Sequence, residues 1–371
     1  MMNEDWKLVL SFFPDDWQEY AVRTNVLKGL RKDKSPDNIL RTLMIHLACG
    51  YSLRETAIRA RKAQLADLSD VALLKRLRKS KDWLYHLCKI LFIERGICVE
   101  HSESPHFRLF DATNVKEPGK TGSLWRIHYS VQVPSLECDF FKVTPTKGAG
   151  VAESFSQFPI HEGDYIIADR GYCKANGIHH VTSFGAHVCV RVNTQGMKFH
   201  DKFGNAIDLI TILKNISSPG EIGEWQVTVI SADDTQIKGR LCALKKSEES
   251  IRLAQKKLRR RASKRGNKLK PETLFFAQYV LLFTTFPVNK FDAEKMLEWY
   301  RVRWQIELVF KRFKQIAQLG HLPKHDDESS KAWLYGKLMV ALLTEKIIHH
   351  AESISPWGYP LERQSNSKSV A

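Results

Sequence analysis

Phe107-Arg108-Leu109-Phe110-Asp111-Ala112-Thr113-Asn114-Val115 is the stretch whose reading decides the fold. Its apolar residues are of the kind that fill a pleated, half-buried surface, so it reads as a strand. The run from Phe107 to Phe110 then meets a carboxylate, Asp111, which has no packing reason to be there. Working outward, Trp125 to Val133 and Cys138 to Thr144 have the same character. The first gap holds Pro118-Gly119 and the second Pro134-Ser135, both turn-prone. A short helix follows, and then Asp164 to Ala168 reads as another strand, ended by a second carboxylate, Asp169. A helix from Lys174 and a strand from His187 to Val192 continue the alternation.

Three antiparallel strands followed by alternating helix and strand is the order of an RNase H-like core. Residues 196 to about 286 interrupt that order. Leu209 to Leu213, Trp225 to Ile230, Gly239 to Leu244 and Gln278 to Thr284 read as strands there. Between them Arg252 to Lys270 carries ten cations and no acidic residue, including Arg259, Arg260, Arg261 and Lys264. Such a block repels itself unless an anion lies against it, and otherwise reads as a flexible, solvated loop. Phosphate neutralisation is its natural use.

The first hundred residues read as helical. Ser35-Pro36 starts one helix with Gly50 as a stop, and Ser52-Leu53-Arg54-Glu55 has the form of a capping box. Asp70 to Arg78 and Asp82 to Ile93 read as two more helices, and the region carries Arg54, Arg59, Arg61, Lys62, Lys75, Arg76, Arg78 and Lys79. Short helices with basic faces suit DNA contact; a helical bundle with solvated faces has the same pattern. The fold class expected is α/β: an RNase H-like mixed-sheet core with a β-rich insertion and an all-helical N-terminal domain. The divisions drawn are 1–100 (helical, DNA-binding), 101–195 (first part of the core), 196–286 (insertion with its basic segment), 287–330 (end of the core) and 331–371 (C-terminal helix and tail).

The chain of 371 residues has 57 Lys and Arg against 41 Asp and Glu, a formal net charge of +16. A surface so charged attracts polyanions, nucleic acid first. The seven cysteines (49, 88, 98, 138, 173, 189 and 242) form no CxxC pair, which suits a reducing compartment. Glu4 and Asp5 stand where a signal peptide would be basic, and Leu338 to Leu343 is too short to span a bilayer. A cytosolic or nucleoid protein without membrane contact is expected.

The chemistry gathers on a helix from Asp292 to about Leu319. At 3.6 residues per turn, and relative to Tyr300, Arg303 falls near 300°, Glu307 near 340°, Lys311 near 20° and Lys314 near 320°. One polar face thus holds a phenol, a carboxylate and cations, opposite an apolar face that includes Val302, Ile306 and Phe313. An exposed salt-bridged surface would have the same pattern. With Asp111 and Asp169, however, Glu307 completes what two Mg²⁺ ions need, because hard cations take oxygen ligands and keep several waters. Two such ions activate the attacking oxygen and stabilise the leaving one in phosphoryl transfer. The cations beside Glu307 would hold DNA phosphates.

At these residues the sequence resembles the DDE transposases of the insertion-sequence-4 type. Tyr300, Arg303, Glu307 and Lys314 fit that family's YREK signature without a gap, within Trp299-Tyr300-Arg301-Val302-Arg303-Trp304-Gln305-Ile306-Glu307. Asp111-Ala112-Thr113, Trp125-Arg126-Ile127-His128-Tyr129 and Asp169-Arg170-Gly171-Tyr172 are similar too. The resemblance implies an insertion-sequence transposase that cleaves double-stranded DNA at transposon ends and joins it to a target through a hairpin intermediate. It implies catalytic, metal-binding Asp111, Asp169 and Glu307, with two Mg²⁺ for which Mn²⁺ can substitute. Tyr300, Arg303 and Lys314 would contact phosphates of the transposon end, with Lys311 beside them, and Trp225 would support a flipped base. A homodimer on DNA is implied, and no nucleotide.

Other motifs fail. Pro118-Gly119-Lys120-Thr121 ends like a phosphate-binding loop, but Asn114 stands where its first glycine belongs. His179, His180, His187 and Cys189 match no common zinc spacing. Two alternatives stay open on sequence: a domesticated or inactive relative that binds DNA without cutting, and a two-metal nuclease that does not join.

Overall fold

The computed structural model describes residues 2–13, 15–30, 34–93, 107–116, 124–133, 138–148, 150–304 and 326–354. The chain divides into two compact units, residues 1–98, 115–123 and 311–371 in one, and residues 99–114 and 124–310 in the other.

The first unit is helical. It begins with α1 (Met2–Leu10), α2 (Trp17–Arg23), α3 (Pro36–Leu47), α4 (Leu53–Lys62), α5 (Asp70–Lys79) and α6 (Lys81–Ile93). Two of the caps are those read from the sequence, at Ser35 and Ser52, and Ser69 adds a third. Ser35 Oγ accepts from Asn38 N, Ser52 Oγ from Glu55 N and Ser69 Oγ from Ala72 N, each satisfying an amide that the first turn leaves orphaned. Gly50 has φ +72°, a left-handed conformation that ends the segment after α3 at no steric cost.

The second unit is built on one eight-stranded sheet. Its strands are β1 (Phe107–Lys116), β2 (Leu124–Val133), β3 (Cys138–Pro145), β4 (Tyr165–Ala168), β5 (His187–Arg191), β6 (Ile222–Ile230), β7 (Gln236–Lys245) and β8 (Tyr279–Thr284). The order across the sheet is β3-β2-β1-β4-β5-β8-β7-β6. β1, β4 and β5 run parallel, and β3 runs antiparallel to β2. This 3-2-1-4-5 arrangement is the RNase H-like core expected from the sequence. The strands of residues 196–286 continue the same sheet, since β8 adds antiparallel to β5 and then carries β7 and β6.

Helices α7 (Ala175–Ser183), α8 (Leu209–Lys214), α9 (Glu248–Lys264), α10 (Pro271–Phe276) and α11 (Ala293–Val302) complete this unit. One sheet face buries Phe110, Ile166, Ala168, Val188 and Val190 with Ile178 and Val181 of α7 and Leu209 and Leu213 of α8. The other face meets α11, where Trp299 stacks on Phe107 with ring centroids 4.1 Å apart. Both faces being covered explains why all four residues of β4 are buried.

Two readings are corrected. Leu209 to Leu213, read as a strand, is the helix α8. Asp208 caps it, accepting from Ile210 N and Thr211 Oγ1, and Leu209 and Leu213 share one buried stripe at i, i+4. A five-residue apolar run carries no period of its own, so the cap decides. The basic block, for which a flexible loop was the alternative reading, is mostly the helix α9. Ser247 caps it, Glu248 and Glu249 occupy its first turn and Arg261 and Lys264 its last, the order that complements the helix dipole.

After the second unit the chain returns to the first with α12 (Asp327–Ile354), which packs on α6, α5 and α3. Arg78 and Lys81 hold its start through Asp326 and Glu328, both at 2.8 Å. No helix among the described residues is long and apolar enough to cross a membrane.

Candidate active site

The pleat puts two carboxylates side by side. β1 and β4 pair in register with Phe107 opposite Tyr165 and Leu109 opposite Ile167. Side chains two residues apart share a face, so Asp111 follows Leu109 and Asp169 follows Ile167 toward the face that α11 covers. Asp169 lies just beyond β4, where its Oδ1 accepts from Gly171 N at 2.6 Å and caps a single 3-10 turn. Asp111 Oδ1 accepts from Ala112 N at 2.8 Å. The turn read at Asp169-Arg170-Gly171 is therefore present, and forming it does not take Asp169 away from its place next to Asp111.

Burial pushes the Asp111 carboxyl up to about 7. The hydrogen bond from Ala112 opposes this, the Asp169 charge adds to it, Arg303 opposes it and Glu153 adds to it. A carboxyl raised by burial beside a second carboxylate is one whose charged form a bound cation would favour.

α11 brings the next groups. Asp292 Oδ1 caps it by accepting from Lys295 N, as expected, and Met296 and Leu297 bury its inner face. At its far end the Tyr300 phenol is driven well up, first by burial, in the fields of Arg303, Cys189, Arg191 and Asp169, and its oxygen has no hydrogen-bond partner. Arg303 Cζ lies 5.9 Å from the Tyr300 ring centroid. Glu307, Lys311 and Lys314 fall outside the described residues, as does the rest of the helix expected to about Leu319.

Sequence reasoning missed three neighbours. Glu153 lies in the loop after β3, and its Oε2 is 3.0 Å from the point where a Cβ on Gly171 would sit. Asp169 Oδ1 is 3.0 Å from that same point, so the two oxygens are no farther apart than twice this distance. Arg126 of β2 faces Glu153 with Nε 3.7 Å from Oε1 and donates from Nη1 to the Val151 carbonyl. Tyr172 is buried, its hydroxyl has no partner, and burial together with Asp111, Glu153 and Asp169 raises its phenol well above the ordinary value. Nothing in spacing or periodicity marks Glu153, a loop residue brought in by chain return. Among the described residues no group of three His, Cys, Asp or Glu is arranged to hold a metal. The pair Asp111 and Asp169, with Glu153 close by, is nevertheless the hard-oxygen donor set that a divalent cation takes.

The model of the transposase DDE domain family matches residues 144–343, more than half of the chain. The chain belongs to that family. This DDE transposase is 29% identical over 362 residues to the InsL protein of insertion sequence element IS186A from Escherichia coli K12, covering 95% of this chain and 96% of that one. It has the same identity over 363 residues to the transposase for insertion sequence element IS421 of Escherichia coli, with the same coverage. It is 25% identical to the transposase for IS231F of Bacillus thuringiensis subsp. israelensis, across 74% of this chain and 65% of that one. Among solved structures, the catalytic domain of human endonuclease V matches 46% of the chain and 75% of its own at 10% identity, with a TM-score of 0.21, too slight a likeness to bear on the argument.

The remaining sequence-predicted residues of the transposase lie on its later elements. Arg259, Arg260, Arg261 and Lys264 are all exposed on α9, which buries no residue. Trp225, on β6, is half-buried against the core, with its ring in the space a side chain at Gly223 would need. His179 faces Asp233, and His187 Nδ1 lies 3.1 Å from the Thr285 carbonyl, so neither joins the carboxylates.

Proposed function

We propose that this transposase cuts DNA at the ends of its element and joins the freed 3′ ends to a target, with Asp111, Asp169 and Glu307 as the metal-binding catalytic triad. The observation that carries the reading is the placing of Asp111, midway along β1, next to Asp169, just past the end of the adjacent parallel strand β4, in surroundings that raise the Asp111 carboxyl. Two Mg²⁺ ions bound there would supply the activated attacking oxygen and the stabilised leaving oxygen of phosphoryl transfer. The chain's own residues do the rest. Asp111 presents its oxygens from within β1 and Asp169 from the residue just after β4, so both are positioned by the sheet. Tyr300 and Arg303 offer a phenol and a guanidinium on the side facing the pair, suited to the phosphates that flank the reacting one. Lys311 and Lys314 are proposed to contact DNA phosphates as well, and the exposed cations of α9 would neutralise further phosphates.

The finer steps belong to the same proposal. Water is the first nucleophile, the freed 3′-hydroxyl then attacks the opposite strand to give a hairpin, and the reopened end is transferred to target DNA. A homodimer on DNA, Mn²⁺ in place of Mg²⁺, a flipped base against Trp225 and a cytosolic location complete it. The test is a denaturing gel of end-labelled element DNA incubated with the protein and Mg²⁺. Nicked, hairpin and joined species in sequence support the proposal. Nicks alone would establish a nuclease, and binding without any product would establish a DNA-binding relative.

A further inference from the structure

A cavity of about 660 Å³ opens beside the candidate active site, at the ends of β4 and β5. Arg170 follows Asp169, Arg191 ends β5, Lys246 follows β7, and Lys257, Arg261 and Lys270 come from α9 and the chain after it. Six cations thus line one space, with Glu272 as the single acidic residue of the lining. Among the described residues none of the six forms an ion pair.

Two of them are half-buried, Arg191 and Lys246. Burial lowers the Arg191 guanidinium from its ordinary value, and Arg170 lowers it further. Lys246 is brought down to about 8 by burial, then by Arg191 and Arg170, and it donates to the Ala277 carbonyl at 2.7 Å. Gathering like charges away from water is costly unless a counter-charge enters. Leu258 and Phe276 supply an apolar wall in the same space. A mixed lining of this kind suits a group that is anionic at one end and flat and apolar at the other.

We infer that this cavity is a subsite for one nucleotide of the DNA strand that runs on past Asp169, its phosphate among Arg170, Arg191, Lys246 and Lys257 and its sugar and base toward Leu258 and Phe276. The inference rests on the transposase reading for its ligand and on the cavity alone for its location. It assigns work to Arg191, Lys246 and Lys270, which lie outside the runs that resemble the family, and to Arg170, which lies within one of them. It also explains why α9 presents Lys257 and Arg261 one turn apart on the side facing the sheet.

Pyridoxal 5′-phosphate tests it, because its phosphate seeks a cationic cavity and its aldehyde condenses with a nearby amine that is partly neutral. The full chain is treated without divalent metal, reduced with borohydride and mapped by peptide mass. The expected result is labelling of Lys246, or of Lys257 or Lys270, about ten-fold above that by pyridoxal, which has no phosphate for charge-assisted hydrogen bonds. A fifteen-residue oligothymidylate should protect those lysines, and Arg191→Gln should abolish the preference. Lys257→Gln with Arg261→Gln, on a helix that buries nothing, should lower the salt slope of oligothymidylate binding by about 0.7 for each phosphate no longer neutralised. Equal labelling by pyridoxal, or an unchanged slope, would overturn the subsite. Protection by inorganic pyrophosphate but not by the oligonucleotide would overturn its assignment to DNA. Repeating the labelling in Asp169→Asn separates the two readings: protection there persists even if the metal site has been wrongly placed.

Discussion

Asp111 is a carboxylate held midway along β1, with its own next amide as its sole hydrogen-bond donor among the described residues. Its carboxyl stands at about 7 in the metal-free protein, chiefly through burial. An unfolded chain releases that proton near pH 4, so between about pH 4 and 7 the folded state holds a proton that the unfolded state does not. Stability therefore falls as pH rises through that window. Asp111→Asn removes the penalty, and the metal-free variant should be more stable than the parent at pH 8 by on the order of 1–3 kcal/mol. The gain should vanish near pH 4. Urea unfolding at the two pH values checks this, and equal stabilities at pH 8 would show that Asp111 is not held in this way.

Arg108 makes the opposite case, a charge that burial keeps. It sits in the strand read as apolar, yet it is buried and donates to Asp139 at 2.5 Å, to Asp164 at 2.9 Å and to the Pro159 carbonyl at 2.7 Å. These bonds tie β1 to β3 and to the residue preceding β4, just below the paired aspartates. Arg108→Met leaves two buried carboxylates without their cation and should cost about 3–5 kcal/mol. A loss below about 1 kcal/mol in chemical denaturation, the range of an exposed ion pair, would mean that the network is dispensable.

Among the elements, α11 decides whether Tyr300 and Arg303 face the carboxylates. Asp292→Ala removes the cap acceptor for Lys295 N and should destabilise the protein by about 1 kcal/mol, whereas Asp292→Gly should lose only a few tenths. Thermal unfolding of the two variants checks the difference. How far the elements could be read in advance follows from what marks each one. Caps and carboxylates that interrupt apolar runs are local, so Ser35, Ser52, Asp292, Asp111 and Asp169 were legible, although β1 runs on past Asp111 to Lys116 and does not end there. α8 was misread because a short apolar run has no period of its own, and α9 was not read as a helix because its charge density drew the reading, although its cap and its acidic-to-basic order both mark one. Glu153 and Arg191 reach the site through the order in which strands assemble, which no local pattern records, whereas Tyr172 comes with Asp169 in the same short turn. The continuation of the sheet from β5 into β8 is of the same kind.

For the whole molecule, each unit has its own packing logic. In the helical unit a Cβ on Gly336 would lie 2.4 Å from Leu47 Cδ1, and Leu47 is itself fully buried. That close approach of α12 to α3 leaves no room for a side chain, so Gly336→Ala should cost about 1–3 kcal/mol through overpacking. Circular dichroism through a urea titration would show the loss; an unchanged midpoint would place α12 farther from α3. In the sheet unit, the paired aspartates and the cationic cavity lie near the ends of the central strands β4 and β5, so the proposed chemistry and the proposed nucleotide subsite are neighbours.

The most direct test of the central claim is the rate of first-strand nicking of element-end DNA in Mg²⁺ by Asp111→Asn, Asp169→Asn and Glu307→Gln against the parent. Each should be slower by at least about a hundred-fold, since the charge stabilisation a bound metal supplies is worth several kcal/mol, while DNA binding in chelator is retained. Nicking within a few-fold of the parent by any of the three would remove that residue from the active site.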